Sequence, residues 1–162
     1  MATLTNCLIA LNGIEGPEWY QAGDSLIKPC YVVMEDDADE VKICSTSGKP
    51  LGVAALDGDH DLNTIYTIGV SVPVYLIGSK ISIYVLHDGT AADVLTKGIS
   101  VNASSNTAGA VMLKPAWAAK TTTYNLAVHV ERADTDHYVV GRSLITLTIT
   151  SGTAAFIPII LK

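Results

Sequence analysis

Short runs rich in β-branched residues, each closed by turn residues, recur along this chain. The three-to-four spacing of an amphipathic helix is nearly absent. The runs are Cys30–Met34, Val41–Cys44, Gly69–Leu76, Lys80–Leu86, Asn125–Val130, Ser143–Thr150 and Phe156–Leu161, bounded by Gly, Pro, Asp or Ser. Ser143–Thr150 reads SLITLTIT, in which Ile145, Leu147 and Ile149 alternate with Thr146, Thr148 and Thr150. A period of two predicts one strand with its Ile/Leu row buried and its Thr row toward solvent. Asp88-Gly89 and Ser47-Gly48 read as tight turns in which Gly supplies a positive φ, and 101–109 (VNASSNTAG) reads as an exposed loop. Helix is expected only as single turns at Ala91–Leu95 and at Pro115–Lys120, where Pro115 suits a first helical position. The pattern predicts a mostly-β chain: a compact β-barrel or β-sandwich-like domain with little helix.

Residues 1–22 read as an N-terminal arm and 23–162 as the β domain. Within that domain the landmarks line up twice. Leu26-Ile27-Lys28-Pro29, then Leu51-Gly52-Val53-Ala54, then Val72-Pro73-Val74-Tyr75-Leu76 occur in one stretch. Val94-Leu95-Thr96-Lys97-Gly98, then Val140-Gly141-Arg142-Ser143, then Ile157-Pro158-Ile159-Ile160-Leu161 occur in the next. Internal duplication and chance likeness among β sequences both account for this match. Under duplication the halves are 23–86 and 90–162, with an insertion at about 114–137. Pro73 and Pro158 lack the N–H that a central strand donates, so each is expected on an edge or at a bulge.

Of 162 residues, 49% are apolar and 16% charged, and mean hydropathy is +0.35. That apolar excess is hard to hide in a monomer of this size and predicts contact with another protein. The longest apolar stretches are broken by Gly, Ser, Pro and Lys, well short of the roughly 20 residues of a spanning helix, so no membrane segment is expected. The first residues, MATLTNCLIALNGIEG, lack the basic start of a signal peptide. Cys7, Cys30 and Cys44 are odd in number and without CxxC spacing, which predicts neither a disulfide framework nor a zinc site and points to assembly in a reducing compartment. A net charge of −6 without a Lys/Arg cluster argues against a nucleic-acid partner.

Chemistry-bearing motifs are sparse. Asp57-Gly-Asp59-His60-Asp61-Leu62-Asn63 places oxygen ligands at alternate positions, as calcium loops do. Leu62 stands where such a loop needs Gly, however, and Ile68 where it needs Glu, so a solvated acidic turn is the expected reading. Glu35-Asp36-Asp37-Ala38-Asp39-Glu40 reads as a charged hairpin tip, with a cation site or acidic docking patch as the alternative. His60, His87, His129 and His137 have no metal-ligand spacing. No GxSxG, P-loop or GxGxxG is present, and Lys114 lacks the flanks of a lipoyl or biotinyl lysine. The expectation is no enzyme, no cofactor and no metal. Glu18-Trp19-Tyr20 sets an aromatic pair beside polar residues, which reads equally as an interface anchor or as a small cluster covering one end of the barrel; as anchors, Trp19 and Tyr20 join Trp117 and Tyr124 of the inserted segment.

The stretch Leu26–Met34 followed by Leu51-Gly52-Val53-Ala54, and the ending Val140-Gly141-Arg142-Ser143-Leu144 with Ile157–Leu161, resemble the phage head-decoration or capsid cement proteins. The likeness spans roughly residues 22–162 and departs at Lys114–His137, which carries Trp117 and Tyr124. It implies a virion structural protein without catalytic residues that binds the outside of an icosahedral capsid and clamps neighbouring major capsid subunits. Self-association is implied too, with a homotrimer favoured, and assembly in the host cytoplasm. A different expectation is a tail, fibre or surface-adhesin domain that binds a glycan or receptor.

Overall fold

The β-branched runs become strands that close on themselves twice. A computed structural model describes residues 8–10, 16–89, 94–104, 107–113 and 139–162, and every regular element among them is a strand. In the first barrel β2 (Glu18–Ala22), β3 (Val32–Asp37), β4 (Glu40–Ile43), β5 (Gly52–Ala54) and β6 (Ser71–Leu76) form a ring in the order β2-β4-β3-β5-β6. The second barrel contains β7 (Ser82–His87), β9 (Ser100–Ala103), β10 (Val111–Leu113), β11 (Val139–Ser143) and β13 (Ala155–Leu161). Its order is β7-β10-β9-β11-β13, closed by pairing of β13 with β7. β1 (Leu8–Ala10) lies antiparallel on β7, and β8 (Val94–Leu95) pairs with β12 (Leu147–Thr148) as a two-stranded ribbon.

The barrels share one plan down to the register. The first strand of each runs parallel to the third and antiparallel to the fifth. The second pairs antiparallel with the third and fourth, and the fourth with the fifth. Gly52 faces Leu76 as Gly141 faces Leu161; Trp19 faces Pro73 as Tyr84 faces Pro158; Ala22 faces Val41 as His87 faces Val111. The turn into the second strand also repeats. Tyr31 N–H donates to Lys28 O at 3.1 Å and Ile99 N–H to Thr96 O at 2.9 Å. Its third residue has positive φ in both cases, 69° at Cys30 and 88° at Gly98, the signature of a type II turn. The duplicated landmarks of the sequence are therefore equivalent positions in two similar barrels.

Alternation assigns the two faces of each wall. Ala22, Val33, Val41, Ala54, Val72 and Val74 point into the first barrel and are buried there with Ile27 and Tyr66. Their neighbours Val32, Val53 and Tyr75 point outward, yet are buried in a second cluster that contains the interior of the other barrel, including Val101, Val111, Ile157 and Ile159. One barrel's outer wall is thus part of a core shared with its neighbour, and each fully buried Val there is worth roughly 1.5–3 kcal/mol. Backbone groups bond across the same contact: Leu86 N–H to Cys30 O, Val32 N–H to Gly109 O and Gly109 N–H to Cys44 O. Gly109 has φ of +74°, and a Cβ there would collide with Tyr31 and Ile43.

Several sequence expectations are corrected. Residues 18–22, assigned to the arm, form β2 of the first barrel, and 82–86, assigned to the first half, fall in β7 of the second. Ser143–Thr150 is not one strand. It is the end of β11 and the separate β12, with a bend where Ser143 Oγ donates to Ile145 O at 2.8 Å. Ile145 and Leu147 are exposed as a result, and of that row only Ile149 is buried. Val94–Leu95, expected in a helical turn, is strand β8. In 101–109 the first residues belong to β9, and Gly109 is buried against the first barrel. Gly48 does not have a positive φ; a Cβ there would strike the Met34 sulfur. Pro115–Lys120 and Asn125–Val130 lie outside the described residues.

Pro73 and Pro158 sit on no sheet edge, because each is in the fifth strand of a closed barrel. Each lies just past the end of the fourth strand, where Ala55 N–H donates to Pro73 O at 2.8 Å and Leu144 N–H to Pro158 O at 3.0 Å. The ladder has already ended there, so a missing proline N–H costs little. In the first barrel Ala55 O accepts the Tyr66 hydroxyl instead, at 2.7 Å.

Cysteine usage also differs from expectation. Cys30 is disulfide-bonded, while Cys44 is a buried free thiol. An odd count is compatible with one bridge and one spare thiol, so it carries no argument for a reducing compartment.

Candidate functional site

The exposed aliphatic side chains fall at matching places in the two barrels. Leu26 lies four residues before Cys30 and Val94 four before Gly98, so the repeated turn makes them equivalent. Leu26 is 59% exposed and Val94 57%, while the residue after each, Ile27 and Leu95, is fully buried. The inward residue anchors the segment and leaves its neighbour presented to solvent.

A second segment, from the connection between fourth and fifth strands, runs antiparallel beside each. In the first barrel Tyr66 N–H donates to Ile27 O and Gly69 N–H to Ala22 O, and this segment exposes Ile65 and Ile68. In the second, β12 pairs with β8 at Leu147↔Leu95, and its segment exposes Ile145 and Leu147. The outcome is two ribbons of exposed aliphatic residues on one body. Exposed apolar groups of this kind mark protein contact surfaces more often than small-molecule sites. Sequence reading missed them because the SLITLTIT alternation assigned Ile145 and Leu147 to a core.

Trp19 and Tyr20 are adjacent in β2 and therefore face opposite ways. Trp19 points outward and is 61% exposed, whereas Tyr20 is half-buried against the first barrel's core. The Tyr20 hydroxyl donates to Glu18 Oε2 at 2.8 Å, and partial burial followed by that carboxylate pushes its pKa up to about 12. Of this pair, only Trp19 is presented as an anchor. Trp117 and Tyr124 lie outside the described residues, as do Lys114, His129 and His137.

The acidic loop after β5 uses its carboxylates on itself. Asp57 Oδ1 accepts the N–H groups of Asp59 and His60, at 2.9 and 2.7 Å, and pairs with His60 Nδ1 at 2.8 Å. The His60 ring stacks on Tyr66 with centroids 4.1 Å apart. Burial alone would raise the Asp57 pKa; the His60 ring and the two amides outweigh it and hold the group below its usual value. Asp61 Oδ1 likewise accepts Asn63 N–H, Thr64 N–H and the Thr64 hydroxyl, and its pKa is lowered with the Thr64 hydroxyl as the largest cause. Around them is an open hollow of about 450 Å³. Among the described residues no group of three or more His, Cys, Asp or Glu is arranged to hold a metal ion. The loop is a pair of Asx turns, with the Asp57 side chain largely buried and Asp61 exposed.

Glu35–Glu40 forms the β3–β4 hairpin tip, where Lys42 Nζ meets Asp36 Oδ1 at 2.5 Å. In the equivalent hairpin of the second barrel, Ser104 Oγ donates to Asp88 Oδ2 at 2.5 Å and accepts Thr107 N–H at 3.0 Å. Asp88 Oδ1 lies 3.8 Å from His87 Nδ1, which accepts the N–H of Gly89 at 3.1 Å. The aspartate is central in this cluster and the histidine is fully buried, whereas a hydrolytic triad needs the histidine between the other two. The cluster ties Ser104 and Thr107 to the end of β7, close to Gly109, whose backbone makes the barrel–barrel contact. No protein-family model matches this chain, and no curated protein is significantly similar to it.

Proposed function

We propose that this chain is a phage virion structural protein, a decoration or cement protein. It binds the outer surface of an icosahedral capsid and clamps neighbouring major capsid subunits. The observation that carries the reading is the doubling: Leu26 and Val94 are equivalent positions in two similar barrels, both presented to solvent beside further exposed aliphatics. Two like surfaces held on one body suit a partner whose own surface repeats at fixed spacing. The second contact then forms at a high effective concentration, and modest contacts add up to firm attachment. A particle built from many copies of one subunit is such a partner. On the capsid exterior the chain meets oxidising surroundings after release, which suits the disulfide at Cys30.

The test is co-sedimentation of purified protein with capsids lacking it, together with the capsids' thermal stability. Binding with a raised capsid melting temperature is expected, and Leu26→Asp or Val94→Asp is expected to weaken it. Absence of binding with unchanged capsid melting would sink the proposal. The bare indole of Trp19 favours a second reading, a tail, fibre or adhesin domain that stacks a sugar or receptor on it. Glycan-array binding without capsid affinity would select that reading.

A further inference from the structure

The two barrels meet head to tail, because their contact uses different faces of two bodies with one plan. The first barrel contributes the outward side of β5 and β6 with the turn at Cys30, where Val53 and Tyr75 are buried. The second contributes Tyr84 on the outward side of β7 and the Leu86 N–H, with the β9–β10 hairpin at Gly109. Each face has an equivalent on the other barrel that the contact within the chain leaves unused.

By register, Gly98, Arg142 and Ile160 of the second barrel stand where Cys30, Val53 and Tyr75 stand in the first. Trp19 and Gln21 of the first barrel stand where Tyr84 and Leu86 stand in the second. Asp39 is two residues before Val41, as Gly109 is two before Val111, so the acidic hairpin matches the docking hairpin. Burial inverts between the equivalents. Val53 is fully buried and Arg142 exposed; Tyr84 is half-buried and Trp19 bare. The unused faces are also oppositely charged. One carries Asp39 and Glu40 beside Gln21, next to Trp19 along β2; the other carries Lys97, Arg142 and Lys162. Residues 16–80 hold ten Asp or Glu against four Lys, while 81–162 hold five against six Lys or Arg.

We infer that a second copy of this chain fills these faces, with the Trp19 face of one copy seated on the Arg142 face of another in the head-to-tail sense of the barrel pair. Trp19 replaces the aromatic anchor Tyr84, and the Arg142 guanidinium replaces the Val53 side chain opposite, where it can lie over the indole. One difference sets the strength. Gln21 N–H already donates to Asp39 O at 2.8 Å, whereas Leu86 N–H and Gly109 O bond across the barrel pair. The contact between copies therefore rests on the indole and on charge, and salt weakens it. A head-to-tail contact closes into a ring or runs on as a filament; the trimer expected from the sequence would be such a ring.

Sedimentation velocity on the full chain tests this. The expected result is an oligomer at low ionic strength that dissociates as salt is raised. Trp19→Ala is expected to weaken it roughly 30-fold, as loss of a central Trp anchor does. Arg142→Glu and the pair Asp39→Lys with Glu40→Lys should each give folded monomers by circular dichroism. Mixing those two variants should restore association, because each then meets an oppositely charged face. If Arg142→Glu fails to fold, Trp19→Ala, at a bare position, reads the same contact. A wild-type monomer at every attainable concentration, or an oligomer unmoved by these substitutions, would overturn the inference. A wild-type monomer that still binds capsids would overturn it while leaving the proposed function standing.

Discussion

Gly52→Ala and Gly141→Ala give the most direct measurement of the barrel equivalence. Each glycine lies in the fourth strand against the closing strand. A Cβ at 52 would fall inside van der Waals contact of the Tyr75 carbonyl oxygen and 2.7 Å from Val74 Cγ1. At 141 it would fall inside contact of the Ile160 carbonyl oxygen and 3.0 Å from Ile159 Cδ1. Tyr75 corresponds to Ile160 and Val74 to Ile159, so the same obstruction occurs twice. A backbone carbonyl in a closed ladder cannot swing aside as a side-chain tip can, and the wall must shift instead. Overpacking of this kind costs about 2–3 kcal/mol, which for a chain of this length lowers Tm by roughly 4–12 °C. Thermal and urea unfolding of both single variants and the double variant should show two similar losses that add, since the glycines share no clashing partner. Gly58→Ala is the control, with nothing within 4 Å of its added Cβ and no positive φ. Wild-type stability in either glycine variant, or a large loss in one alone, would refute the shared role.

Tyr66→Phe removes the donor to Ala55 O, leaves a buried carbonyl without it, and should cost about 1–3 kcal/mol in urea titration. Cys44, whose thiol burial pushes up to about 11, should resist a thiol reagent at pH 8 in the native protein and react on unfolding; non-reducing peptide mapping should find Cys30 bridged. The folded-state pKa of Asp57 is depressed, so its contribution is present above the unfolded pKa and is lost as pH falls through the folded one. Asp57→Asn should therefore melt below wild type at neutral pH, and the gap should close under acid. A gap that widens in acid would show that His60 and the amides do not hold the carboxylate.

Some of this protein was legible in residue order alone. Period-two alternation and β-branched runs are local steric facts, and they are sufficient for an all-strand architecture. The paired landmarks around Gly52 and Gly141, and around Pro73 and Pro158, marked real equivalent positions, because a close backbone approach and a missing N–H are constraints that one residue carries by itself. Boundaries were less legible. Nothing local in Glu18–Ala22 shows that it closes a ring, since closure depends on pairing with β6 some fifty residues later. The SLITLTIT segment shows the limit of pattern most plainly: its alternation is satisfied by a strand, yet Ser143 turns the chain out of the barrel and leaves Ile145 and Leu147 in solvent. The exposed ribbons at Leu26 and Val94 were illegible for the same reason. Residue type reports what a side chain would gain from burial; which faces are covered is decided when the second barrel takes one wall of the first and leaves its counterpart open.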